Sequence, residues 1–208
     1  MVLAFACIAA AQSSSIDGIV HPSLPPFEFL VHYENTEGVF AEGFEGIDRI
    51  EVRSGGRHIQ TIGFEGEDPP LITASWGEAV SLQDVDCDGY KDLLVRANVG
   101  AHGDAWYHLY RFNPKRGAFE EYLEFSSLPF KSVDCSDKVV KTYVNSGAAG
   151  CAYESGTYRW VDGELLPVRI ESQEAADRGF TRTVRSWSDG KETVTKQSIG
   201  KGDCHRAN

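Results

Sequence analysis

Positive charge is scarce: 20 Lys and Arg stand against 31 Asp and Glu in 208 residues, a formal net charge of −11. That balance excludes sequence-independent nucleic-acid binding, which displaces counterions with clustered cations. Anionic membrane surfaces are disfavoured for the same reason. Methionine occurs once and glycine 21 times, a composition of turn-rich β structure and not of a helical bundle. Long apolar runs are missing. The longest, Met1 to Ala11, falls well short of the roughly 20 residues of a membrane-spanning helix, so no membrane span is expected. There is no His-Glu-x-x-His, no serine in Gly-x-Ser-x-Gly, no phosphate loop or dinucleotide fingerprint, and no Cys-x-x-Cys or Cys/His spacing of a zinc site. The six histidines, His21, His32, His58, His102, His108 and His205, form no ligand or catalytic spacing. Only a site assembled from distant residues would escape this reading, and the chain reads as a binding protein, not an enzyme.

What the sequence does have is unevenly placed. Residues 17–104 hold 17 acids and 5 bases, a net of −12, whereas residues 105–208 hold 14 acids and 15 bases, a net of +1. Apolar residues at 41% and aromatics at 11% are enough to bury a core. Small residues at Ala9 and Ala11 before Gln12 fit a secretory cleavage pattern, without the usual positive start. Residues 1–15 are therefore read as an export-signal remnant with a polar spacer, and residues 16–208 as a single β domain. Lipidation at Cys7 is the minority reading, because Ala4 stands where a lipoprotein signal carries Leu. Cleavage after Ala11 leaves Cys87, Cys135, Cys151 and Cys204, an even set suited to disulfides in an exported protein. Cys135 with Cys151 would close a loop of about 15 residues, worth roughly 3 kcal/mol in the chain-entropy model, leaving Cys87 for Cys204.

Past Ser15 the chain reads as strand, turn and strand. Hairpins are predicted at Ile47–Val52 with His58–Phe64, at Trp106–Phe112 with Ala118–Phe125, at Tyr158–Val161 with Glu164–Ile170, and at Thr181–Trp187 with Glu192–Gln197. Ser172–Arg178 reads as one short helix. Regular hairpins without βαβ alternation predict an all-β fold, antiparallel, in a propeller-like or sandwich arrangement.

The most specific motif is Asp84-Val85-Asp86-Cys87-Asp88-Gly89-Tyr90-Lys91-Asp92. Aspartates at spacing two, then glycine at the sixth place, match the first half of an EF-hand loop. Alternate side chains of a curling loop point at one spot, and a divalent ion removes the repulsion among their charges. The expected Ca²⁺ ligands are Asp84, Asp86, Asp88 and Asp92, with the Tyr90 carbonyl. The twelfth place is Val95 instead of Glu, and a strand follows in place of a helix. The loop resembles the calcium loops of FG-GAP repeats, which lie between propeller strands, and calcium here is expected to fix a loop and not to react.

Four stretches in order carry a wider resemblance: the Ile47–Phe64 hairpin with His58-Ile59-Gln60-Thr61-Ile62, the acidic loop running into Asp92-Leu93, Trp106–Phe119 with Phe112-Asn113-Pro114, and Thr157-Tyr158-Arg159-Trp160-Val161-Asp162-Gly163-Glu164-Leu165. Together, over roughly residues 45–170, they resemble the periplasmic immunity proteins that neutralise peptidoglycan-hydrolase effectors of bacteria-killing type IV secretion systems. The resemblance implies a propeller-like β fold with an EF-hand-type loop, a periplasmic location, in that family with a lipid anchor, and inhibition of a lysozyme-like enzyme. Such enzymes bind an anionic wall and are basic, so an acidic first half would steer association. Gly100–Ala105 reads as an exposed loop just after the calcium-anchored strand, and His102, Asp104, Trp106 and Tyr107 are the expected target contacts, with Gly147–Tyr153 next in line. The alternative is a calcium-stabilised envelope glycan-binding module or hydrolase, with Trp76, Trp106, Trp160 and Trp187 available to stack on sugars.

Overall fold

The structure is a computed structural model, and it describes residues 12–35, 45–64, 71–72 and 79–204. Cys7, Trp76, His205 and the apolar run 1–11 lie outside the described residues. The fold is all-β, with fifteen strands among the described residues in three antiparallel sheets. The first sheet holds β1 (Gln12–Gly18), β2 (Phe27–Asn35), β3 (Glu45–Ser54), β4 (Arg57–Gly63) and the two-residue β5 (Leu71–Ile72), which pairs with β3. The second holds β6 (Val80–Gln83), β7 (Asp92–Val99), β8 (Ala105–Asn113) and β9 (Ala118–Glu121). The third runs from β10 (Phe130–Asp134) through β11 (Val139–Gly147), β12 (Ala152–Val161), β13 (Glu164–Ala176) and β14 (Gly179–Ser188) to β15 (Lys191–Gly200).

Side chains alternate along a strand, and the middle sheet uses both of its faces. Leu93, Val95, Tyr110, Phe112 and Phe119 pack against Phe27, Phe29, Val31, Ile50 and Val52 of the first sheet. Leu94 and Leu109 face the other way, onto Phe125, Val140 and Trp160 beside the third sheet. The molecule is thus an open, sandwich-like stack with the middle sheet as filling, and this alternation is why β7 begins with four buried residues in a row. Gln60 of β4 stitches the first pair of sheets by bonding both the Phe119 amide, at 2.7 Å, and the Phe119 carbonyl, at 3.1 Å.

The four predicted hairpins form, as β3–β4, β8–β9, β12–β13 and β14–β15, but the return strand expected over Ala118–Phe125 stops at Glu121, and Leu123–Ser127 is a 3-10 turn. Three local expectations are replaced. Gln12–Ser15, read as a polar spacer, is the first half of β1 and pairs with Leu30–Tyr33. Ser172–Ala176, read as helix, is the end of β13, with Asp177 and Arg178 in the turn; pairing of Gln173 with Arg182 and full burial of Gln173 outweigh a weak local helix preference. The disulfides are Cys87–Cys135 and Cys151–Cys204, not Cys135–Cys151 with Cys87–Cys204. Cys135 lies just before β11 and Cys151 just after it. A nine-residue strand rises about 3.3 Å per residue, so its two flanks are far beyond the reach of one S–S bond.

Candidate functional site

The acidic loop Asp84–Lys91 joins β6 to β7, and its backbone curls around its own carboxylates. The Asp84 carboxylate accepts the Asp88 amide at 3.1 Å and the Gly89 amide at 3.1 Å. Asp86 Oδ1 accepts the Asp88 amide at 3.2 Å, and Asp88 Oδ1 accepts the Tyr90 amide at 2.8 Å. The tight curl needs positive φ at Gly89 (94°) and also at Cys87 (59°), where glycine is at ease and cysteine is not. One oxygen each from Asp84, Asp86 and Asp88 lies within 4.8 Å of the others. Burial first, then the charges of Asp86 and Asp84, raise the Asp88 carboxyl above its usual range, against the Tyr90 amide.

Asp92 is not in this converging set. It is fully buried, and its Oδ2 accepts the amides of Val85 (2.9 Å) and Asp86 (3.4 Å) while Oδ1 accepts the Phe112 amide (3.0 Å). The expected ligand is instead the clasp that holds the loop to the start of β7 and to β8. Burial, and then the Asp86 charge, push its carboxyl up to about 7 against the pull of those three amides. Tyr90, expected to lend its carbonyl, stacks its ring on His21 at 4.5 Å and on Phe112 at 5.5 Å.

Two residues that motif reading missed complete the loop's surroundings. Arg111 of β8 donates from Nε to Asp86 Oδ2 at 2.7 Å, its Nη2 lies 2.6 Å from the same oxygen, and its Nη1 reaches the Gly163 carbonyl at 3.1 Å. Its guanidinium lies 4.9 Å from the Trp160 ring centroid and 5.7 Å from that of Tyr122, the geometry of cation–π contact. Trp160 of β12 donates its indole N–H to the Val85 carbonyl at 2.7 Å, so this tryptophan is loop-bound and 7% exposed, not a glycan platform. Neither residue carries a spacing signal, because Arg111 is 25 positions from Asp86 and Trp160 is 75 from Val85. With the Cys87–Cys135 bridge to the β10–β11 turn and the Lys91 amide on the Val20 carbonyl of the β1–β2 connection at 2.9 Å, the loop is tied to segments belonging to all three sheets. The donors are hard oxygens of carboxylates, the chemistry of a calcium-type cation. Cys87 and Cys135 also lie near Asp84, but as a disulfide they offer no thiolate.

At the opposite end of β7 and β8 lies the Gly100–Asp104 turn. Ala101, His102 and Gly103 are exposed at its tip. The Gly100 amide bonds the Asp104 carbonyl at 2.7 Å, and Asp104 Oδ2 accepts the Asn145 amide of β11 at 3.1 Å. Trp106 bridges to Pro129 and packs beside Gly100, where an added Cβ would lie 3.3 Å from its ring. Tyr107 packs edge-on to Phe130 at 5.9 Å, under Arg96. The two loops singled out in the sequence therefore lie side by side, with Asp104 tying the first to the strand that leads into Gly147–Cys151. His102 is presented outward, whereas Asp104 and Tyr107 have internal partners.

No protein-family model matches the chain, and no curated protein matches it. A solved structure described as a Xanthomonas type IV secretion system related protein superposes with a TM-score of 0.61 at 15% identity, covering 88% of this chain and 99% of that one. At that identity the likeness is one of fold.

Proposed function

We propose that this protein is an extracytoplasmic inhibitor that binds and blocks a lysozyme-like peptidoglycan hydrolase of a type IV secretion system, and that Ca²⁺ fixes its acidic loop. The observation that carries the reading is the fold likeness to a secretion-related protein over 88% of the chain, joined to the four sequence stretches that resemble the immunity family. Two disulfides suit an oxidising compartment such as the periplasm. The absence of any helix long and apolar enough to cross a membrane among the described residues agrees with a protein that does not span one by helices.

In this reading Asp84, Asp86 and Asp88 supply carboxylate oxygens to calcium, the Tyr90 carbonyl adds a neutral one, and Asp92 positions the loop from behind. The ion would supply the positive charge that offsets these carboxylates and would take no part in chemistry. Target contact falls on the opposite end, with His102 and the edge of Trp106 at the surface, while Asp104 and Tyr107 set the shape of the turn. A turn anchored this way loses little entropy on binding.

The test is inhibition of the hydrolase encoded beside this protein's own gene, assayed on purified cell wall. Stoichiometric inhibition is expected, and His102→Ala should weaken it by about 2 kcal/mol or more, a hot-spot loss. A cognate hydrolase that runs at full rate with excess inhibitor would overturn the reading.

A further inference from the structure

The third sheet carries a groove of about 270 Å³ on the face turned away from the middle sheet. Val140 points into the shared core, so the two-residue period sends Lys141 and Tyr143 to the opposite face. The strand register then lays out two adjacent rows. Lys141, Thr157 and Arg169 stand side by side across β11, β12 and β13, and Tyr143, Ser155 and Glu171 form the row next to them. Lys131 of β10 joins the lining, with its ammonium 5.2 Å from the Tyr143 ring centroid. Gly156, paired with Thr142, contributes only backbone to the lining.

The charges do not cancel. Three cations line the groove against one carboxylate, and that carboxylate is spoken for. Glu171 accepts the Tyr153 hydroxyl at 2.7 Å and Arg169 Nη2 at 2.8 Å, and Arg182 Nη2 lies 2.6 Å away. Its side chain is 12% exposed, so it serves as the post that holds two guanidiniums in place. Lys141 also feels Asp134, which is not part of the lining. The row Lys141–Thr157–Arg169 is a hydroxyl between two cations, suited to an anionic group. The row beside it offers an aromatic edge and the Ser155 hydroxyl, suited to a ring bearing hydroxyls. The volume is near the small end of ligand sites.

The geometry points to a binding site for one small anionic sugar, a sugar acid or a sugar phosphate, on the outer face of the third sheet. It stands apart from the acidic loop and from the Gly100–Asp104 turn, and does not depend on the inhibitor reading. The anion sits between Lys141 and Arg169, and the ring lies along Tyr143 and Ser155. The groove belongs wholly to the half of the chain whose net charge is +1, against −12 in residues 17–104.

The full chain is titrated by calorimetry and amide NMR with glucuronate, glucose 6-phosphate, inorganic phosphate and glucose. Glucuronate or glucose 6-phosphate should bind with a dissociation constant of about 1 mM or tighter, shifting amides of β11 to β13, and glucose should not. Preference between the two names the carboxylate or the phosphate as the anion. Lys141→Gln and Arg169→Gln should each weaken binding about tenfold or more; Lys141 is exposed, so its variant reports on binding without endangering the fold. The double variant Lys191→Gln with Lys196→Gln, on exposed β15, should bind as wild type does. The inference fails if neither sugar binds, if inorganic phosphate binds as tightly as glucose 6-phosphate, or if the β15 variant loses as much affinity as the Lys141 variant.

Discussion

Asp92, fully buried, and Glu171, partly buried, are carboxylates with opposite electrostatic surroundings. Asp92 faces backbone amides and another carboxylate, and it satisfies three N–H groups at once. Asp92→Ala strands those donors in a buried place, and each buried unsatisfied group costs about 1–3 kcal/mol. We expect a loss of about 3–5 kcal/mol in denaturant unfolding, and a loss below about 1 kcal/mol would show that Asp92 does not clasp the loop. Glu171 faces cations instead. Burial alone would raise its carboxyl, but the Tyr153 and Arg169 hydrogen bonds and the Arg182 charge hold it below the usual range. With the folded value below the unfolded one, ionised Glu171 contributes stability above the ordinary glutamate range. That contribution is lost as pH falls through the lowered folded value. Glu171→Gln should therefore flatten the acid limb of the stability profile measured by thermal melts. An unaltered acid limb would contradict the role given to the two arginines.

Elements were legible where their chemistry is local. Ser54-Gly55-Gly56-Arg57, Val161-Asp162-Gly163-Glu164 and Ser188-Asp189-Gly190-Lys191 each place two positive-φ residues at the hairpin tip, the signature of tight turns between strands. The end of β13 was not legible, because Ser-Gln-Glu-Ala-Ala favours helix on its own and only pairing with β14 overrides it. The acidic loop's carboxylates announced themselves by spacing, but its partners did not: Asp92's amides, Arg111 and Trp160 come from separate strands. Disulfide pairing was illegible for the same reason, since it depends on which end of β11 each cysteine occupies. The observed Cys87–Cys135 bond spans 48 positions, which in the chain-entropy model contributes about 4 kcal/mol. Cys87→Ala with Cys135→Ala should lower unfolding free energy by that order in urea titrations and loosen exchange-protected amides of the acidic loop and the β10–β11 turn. A double variant within about 1 kcal/mol of wild type would mean that the sheet contacts alone hold this junction.

At the scale of the whole molecule the acidic loop ties together three sheets that elsewhere meet through side-chain packing and a few hydrogen bonds, such as Gln60 to Phe119 and Asp104 to Asn145. The Lys91 amide and the Tyr90 ring bind it to Val20 and His21 in the β1–β2 connection of the first sheet, Asp92 and Arg111 to the second sheet, and Cys87 and the Trp160 indole to the β10–β11 turn and β12 of the third. A ligand that favours this closed loop must stabilise the stack as a unit, because opening the loop releases all three attachments. At free calcium about 100 times the dissociation constant, linkage supplies about 2.7 kcal/mol, or roughly 5–10 °C in melting temperature for a domain of this size. Chelation of wild type should therefore lower a single cooperative transition by that amount, not melt the loop alone. The variant that isolates the metal is Asp84→Ala with Asp88→Ala. Asp86 is unsuitable, since it is 8% exposed and holds Arg111, so its loss leaves a partly buried guanidinium unpaired and destabilises with or without calcium. The double variant should melt at one temperature in calcium and in chelator, with Cys87–Cys135 intact by mass spectrometry. If wild type also melts identically in both, calcium has no part in holding the three sheets together.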